Sequence, residues 1–205
     1  MGDEKIRIKK SVLFITLVVL VLIGLIIFSY SRGSINITKQ NADVKELESK
    51  FAVLSQAKTN ACGGGKTYIN QLSADGTKIQ GSCCSAMDFH RYEEQIEGLK
   101  KYSKYDIIPK DPYDVSSEWA EEMMAYTENT TLTNEQQKVY DAAIKSSNEG
   151  GPCCCKCWHW YAYEGLAKKL ILEYNFTAEQ IAEVWDLSDA CGGSGHIDGT
   201  GGHEH

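Results

Sequence analysis

The stretch Gly150-Gly151-Pro152-Cys153-Cys154-Cys155-Lys156-Cys157-Trp158-His159-Trp160 decides how this chain is read. A glycine pair stops one helix, because glycine accepts the left-handed backbone of a helix end, and proline suits the first turn of the next. The spacing predicts a helix opened by Pro152 and running to about Tyr174 through Tyr161, Leu166 and Leu170. On it Cys153, Cys154 and Cys157 share one face of the first turn, while Cys155 points elsewhere unless the turn is irregular. In the alternative, Cys155-Lys156-Cys157 lies in an extended loop and chelates as a claw. Adjacent cysteines pair poorly with each other, since an unstrained disulfide needs Cα atoms ~4.4–6.8 Å apart. So dense a cluster points to thiolates converging on a soft metal ion. The competing reading pairs each cysteine with a distant one in a disulfide framework.

Outward from this stretch the pattern stays helical. Thr133 with Gln136 forms a capping box for a helix carrying Val139, Tyr140 and Ala143, and Trp119, Met123 and Tyr126 mark the helix before it. Ser85 with Asp88 resembles a capping pair for a helix presenting Phe89, Tyr92, Ile96 and Leu99. Downstream, Thr177 and Gln180 cap a short helix with Ile181, Val184 and Trp185. Near the other end, Val44, Leu47, Phe51 and Leu54 repeat at spacings of three and four within an expected helix from Asn41 to Thr59. Thr67 to Gln80 reads as a hairpin turning at Ala74-Asp75-Gly76.

Residues Val12 to Tyr30 are uncharged and mostly apolar, long enough to span a bilayer as a helix. Lys5, Arg7, Lys9 and Lys10 precede them, so the positive-inside rule keeps the N-terminus cytoplasmic and sends the rest outside. A cleaved signal peptide fits less well, because its apolar region is ~7–15 residues and ends in small residues. The expected fold is mainly α: a single N-terminal transmembrane helix, then a small helical bundle with Cys-rich turns and one short β-hairpin. Its parts are a basic segment 1–10, a signal-anchor 11–31, a helical stalk 32–60, a Cys-rich domain 61–191 and a mobile Gly/His tail 192–205. Of the 21 basic and 28 acidic residues, five and two lie in the first 32, which leaves the remainder at a formal charge of −10. Such a surface repels phosphate backbones, so nucleic acid is not an expected partner.

All eight cysteines lie beyond the apolar run. Cys83-Cys84 forms a second group, and on a helix starting early enough Cys83, Met87 and His90 share a face; sulfur sets with Met lean toward Cu(I). Met87 as core packing and His90 as an exposed residue are the plain alternatives. His159 is a further ligand candidate, and Trp158 and Trp160 either shield the cluster or fill the core. Cys62 and Cys191 share an Ala-Cys-Gly-Gly context. They either close a disulfide across the domain or join the metal site. The tail places His196, His203 and His205 among glycines, a segment suited to capturing ions. Neither group alone surrounds an ion with four sulfurs, so Cys83-Cys84 and the quartet are expected to meet.

Pro152-Cys153-Cys154-Cys155-Lys156-Cys157 fits the pattern Pro-Cys-x-Cys-x-Cys and resembles the exported proteins named for a Pro-Cys-Tyr-Cys-Gly-Cys motif. The resemblance implies a small, membrane-tethered, metal-binding protein, with Cys153, Cys155 and Cys157 at the motif's cysteines. Cys154 stands for the tyrosine, Lys156 for the glycine, and a helix for the lipid anchor. The expectation is a membrane-anchored extracytoplasmic protein that sequesters or passes on Cu(I) or Zn(II), with a metal donor or acceptor protein as partner. The second reading is a disulfide-stapled surface or assembly protein with a helical partner-binding face. No hydrolytic triad, phosphate loop or paired catalytic carboxylates occur, so an enzyme is not expected; Cys154-x-x-Cys157 leaves a thiol-disulfide oxidoreductase as a minor alternative.

Overall fold

The computed structural model describes residues 18–23, 43–57, 67–71 and 77–193. Two compact units are distinguished, Met1–Leu47 and Glu48–His205. In the first, residues 18–23 are helical and exposed. Among the described residues no helix is long and apolar enough to cross a membrane. The rest of the expected span 11–31 lies outside the described residues, as do the basic segment 1–10, most of the Gly/His tail and the expected turn at Ala74-Asp75-Gly76.

Residues 43–54 are helical (α1). From Glu48 onward α1 belongs to the second unit, where Leu54 is buried and the Phe51 ring meets Phe89 and Tyr92 at centroid distances of 5.2 and 5.7 Å. The apolar stripe read from the sequence therefore packs on the domain at its Phe51 and Leu54 positions. Thr67–Gln71 is a short helix, α2. The sheet is two-stranded and antiparallel, but it is not a hairpin over 67–80: β1 (Lys78–Gln80) pairs with β2 (Asp114–Ser116), with Ile79 opposite Val115. Both of these side chains are buried, so the pair is held by the core instead of by a turn.

Five helices of 11 to 17 residues build the bundle. α3 is Phe89–Leu99, α4 Ser117–Asn129, α5 Asn134–Ser146, α6 Trp158–Tyr174 and α7 Ala178–Ser188. The capping boxes of α5 and α7 are both formed, Thr133 with Gln136 and Thr177 with Gln180. α6 is the central element. It buries Trp158, Ala162, Tyr163, Leu166 and Leu170, each large apolar side chain contributing ~1.5–3 kcal/mol. α4 lies so close along it that a Cβ at Gly165 would stand 1.8 Å from the Met123 carbonyl oxygen. α7 joins α3, α5 and α6, and its Trp185 Nε1 donates to the Tyr163 carbonyl at 3.1 Å.

Two helix starts differ from the sequence expectation. α3 begins at Phe89, capped by Asp88, whose carboxylate accepts from the Arg91 N–H at 3.0 Å. Ser85 is drawn elsewhere, its N–H donating to the Cys191 carbonyl. Likewise α6 begins at Trp158 with Cys157 as N-cap, and residues 150–155 are bends instead of a turn opened by Pro152. A regular turn would aim Cys155 away from its neighbours; the bends let the sulfurs of Cys153, Cys154 and Cys155 come within 4.8 Å of one another.

Candidate metal centre

Three chain segments deliver sulfur to one place. The first is Cys83-Cys84, in the irregular run between β1 and α3. The second is the Cys153–Cys157 bend at the amino end of α6, and the third is Cys191, just past α7. Backbone pairing aligns the first and third: the N–H groups of Cys83, Cys84 and Ser85 donate to the carbonyls of Ala190 and Cys191, and Met87 bridges Gly193 in parallel. Gly192 permits this approach. Its φ is +78°, and a Cβ there would lie 2.3 Å from the Ser85 carbonyl oxygen.

The carboxyl end of α7 is clamped. Asp189 accepts from Arg91 Nη2 at 2.8 Å through one oxygen and from the Cys191 N–H at 3.0 Å through the other. Its carbonyl accepts from Gln95 Nε2 and the Tyr113 hydroxyl. Each of these side chains is buried. The network orients the residue two positions before Cys191 and so fixes where that sulfur points. Sequence reasoning missed Asp189, Arg91, Gln95 and Tyr113. The one local signal was Asp189 itself, since an aspartate accepting from the N–H two residues on is a turn former.

Sulfur separations are 3.5 Å for Cys83–Cys84, 3.6 Å for Cys83–Cys191, 3.3 Å for Cys153–Cys191, 3.2 Å for Cys154–Cys191 and 3.9 Å for Cys153–Cys157. A disulfide is ~2.05 Å long, and all seven described cysteines are thiols. A tetrahedral ion with ~2.3 Å bonds to sulfur sets neighbouring sulfurs ~3.8 Å apart. The observed spacings are thus those of a thiol nest of ligand dimensions. Cys153, Cys157 and Cys191 are buried, Cys83, Cys154 and Cys155 half-buried, and Cys84 exposed. Trp160 packs against the cluster and carries the Lys156 ammonium 5.3 Å from its ring centroid, whereas Trp158 fills the main core.

Charge within the nest is shared unevenly. The Cys157 sulfur holds the Cys153 thiol down to about 5; Cys83 and His159 act in the same sense, with Cys191 and burial opposed. Cys191 is also lowered, by Cys153 and then Cys83. Cys83 is pushed up by its hydrogen bonds to Cys153, Cys157 and Cys191, and Cys154 by burial and then Cys191. Cys153 and Cys191 are thus the thiols shifted toward the thiolate, while Cys83 and Cys154 hold their protons more tightly. Thiolate is the form that binds a soft ion.

His159 adjoins this charge. Its Nε2 contacts the Ser188 carbonyl oxygen at 2.9 Å, and since a carbonyl only accepts, Nε2 carries the proton. Nδ1 is buried without a hydrogen-bond partner. Burial lowers the imidazole's pKa, but the Cys153 sulfur and then Cys157 and Asp189 outweigh it and raise it. The ring stacks on Tyr163, with centroids 4.0 Å apart. The imidazole is held by a carbonyl at one nitrogen, but His159 is in none of the groups whose donor atoms lie within 4.8 Å of one another, so it flanks the sulfurs without joining a ligand set. On this donor chemistry, the residues present fit a thiophilic ion.

The remaining expected ligands are not all gathered. His90 is on the surface with its Nε2 3.2 Å from Glu94, one turn along α3. Met87 contributes its backbone to the bridge with Gly193. Because α3 starts only at Phe89, Cys83, Met87 and His90 do not share a helical face. Cys62, His196, His203 and His205 lie outside the described residues. Comparison with protein families, curated proteins and solved structures finds no match.

Proposed function

We propose that this chain is a membrane-anchored, extracytoplasmic protein that binds a soft transition metal, Cu(I) before Zn(II), through its clustered cysteines, for sequestration or transfer. The observation that carries the reading is the approach of sulfurs from three separate segments to 3.2–3.9 Å as thiols. Thiolates select Cu(I), Zn(II) or iron–sulfur units. Zn(II) asks for four donors, whereas the close sulfur sets here hold three each. Seven thiols exceed that need, and an all-sulfur set of this size favours Cu(I). The anchor and orientation rest on the apolar run Val12 to Tyr30 behind a basic flank. The motif resemblance points the same way. The staple reading draws no support from the seven described cysteines, all of them thiols.

The test is a Cu(I) titration of the reduced full chain in detergent under argon, with bound metal read by elemental analysis after desalting. The wild type retains copper at a fixed ratio, and the variant Cys153→Ser/Cys155→Ser/Cys157→Ser, which breaks two of the three close sulfur sets, retains much less. Equal retention by the two proteins contradicts the proposal.

A further inference from the structure

The cysteines are too many for one ion and too close together to act as independent sites. Three sets of three lie with all sulfurs within 4.8 Å: Cys83, Cys153 and Cys191; Cys84, Cys154 and Cys191; and Cys153, Cys154 and Cys155. The sets overlap. Cys191 belongs to the first two, Cys153 to the first and third, and Cys154 to the last two. Only Cys83, Cys84 and Cys155 belong to a single set, and Cys157 touches the group through Cys153 at 3.9 Å.

Resting on the soft-metal reading above, we propose that the centre is polynuclear: more than one Cu(I) per chain, joined by bridging thiolates at Cys191, Cys153 and Cys154. Cu(I) accepts three-sulfur coordination, and a thiolate has lone pairs enough to bind two such ions. Filling one set leaves its shared sulfur as a ready ligand for the next, so loading is cooperative. Each ligating thiol releases its proton to solvent, and copper stays Cu(I) throughout, so no oxidant or reductant enters the balance.

Burial orders the ions. The set with Cys83, Cys153 and Cys191 has two buried members, and the set with Cys84, Cys154 and Cys191 carries the exposed Cys84. The outer ion is therefore the exchangeable one, linked to the inner through Cys191.

Native mass spectrometry of the reduced, detergent-solubilised full chain, titrated anaerobically with Cu(I) against a competing Cu(I) chelator, tests this together with X-ray absorption at the copper edge. The expected spectra pass from apoprotein to a form holding more than one copper, with the singly loaded chain scarce, and absorption shows a short copper–copper path. Cys191→Ser removes the multi-copper form. Cys84→Ser, at an exposed position, loses a single copper and keeps the rest. Saturation at one copper with no copper–copper path overturns the polynuclear centre and leaves the simpler metal reading standing, whereas absence of bound copper overturns both. A multi-copper form unchanged in Cys191→Ser also overturns the bridging assignment.

Discussion

At the scale of single residues, the ion pair that anchors Cys191 and the carboxylate of Asp186 make opposite demands on stability. Arg91 and Asp189 are both buried and 2.8 Å apart, so Arg91→Met strands a negative charge and removes ~3 kcal/mol in urea denaturation. On the proposed function, the same variant is expected to loosen the turn holding Cys191 and weaken copper retention, which the Cu(I) competition assay reads. Asp186 is pushed up to about 6, chiefly by burial and then by the charges of Asp189 and Glu149, against the Asn148 N–H it accepts from. Its folded value lies above its unfolded one, so its favourable contribution is complete below pH ~4 and lost as pH rises through about 6. Asp186→Asn keeps the acceptor oxygen and gains, after allowance for its partial exposure, ~1 kcal/mol at pH 7.5 and nothing at pH 4. A gain of equal size at both pH values contradicts the assignment.

Among the elements, α4 meets α6 and α3 meets α7 at close range, and two glycines report how rigid those meetings are. A Cβ at Gly165 would strike backbone, the Met123 carbonyl, while a Cβ at Gly98 would strike the movable end of Leu187, at 2.3 Å. Gly165→Ala is therefore expected to cost ~2 kcal/mol or more despite alanine's better helix propensity, by overpacking the α4–α6 crossing. Gly98→Ala is expected within ~1 kcal/mol of wild type, since propensity offsets the adjustment of Leu187. Thermal and urea melts of the two variants check the contrast. The helices themselves were largely legible in the sequence. Ser/Thr-x-x-Gln boxes and stripes such as Ile181, Val184 and Trp185 act within a few residues, where local physics dominates. The starts of α3 and α6 were not legible, because Ser85, Cys153 and Cys154 are claimed by partners more than thirty residues away. For the same reason β1 was misread as half of a hairpin: Ile79 finds Val115 across the core, and no turn signal announces it.

For the whole molecule, the thiols were visible as a dense cluster, and their meeting with Cys83-Cys84 was expected. Membership of Cys191 depended on the Asp189 clamp, which joins α3, the segment around Tyr113 and the end of α7, and no spacing rule encodes that. The nest ties together residues 83, 153 and 191, so a metal bound there, as proposed, would close the bundle at three distant points. An ion bound by the folded state alone stabilises it in proportion to the logarithm of its excess over Kd, ~3 kcal/mol at a hundredfold excess. Copper-loaded chain is thus expected to melt several degrees above chain stripped by a Cu(I) chelator, as calorimetry would read. The most direct measurement is intact and peptide-level mass after thiol alkylation, with the reduced chain compared before and after Cu(I) loading. The account predicts that loading shields Cys83, Cys153, Cys154 and Cys191 from the reagent and that the chelator restores their reactivity. Alkylation at the same rate with and without Cu(I) would contradict it.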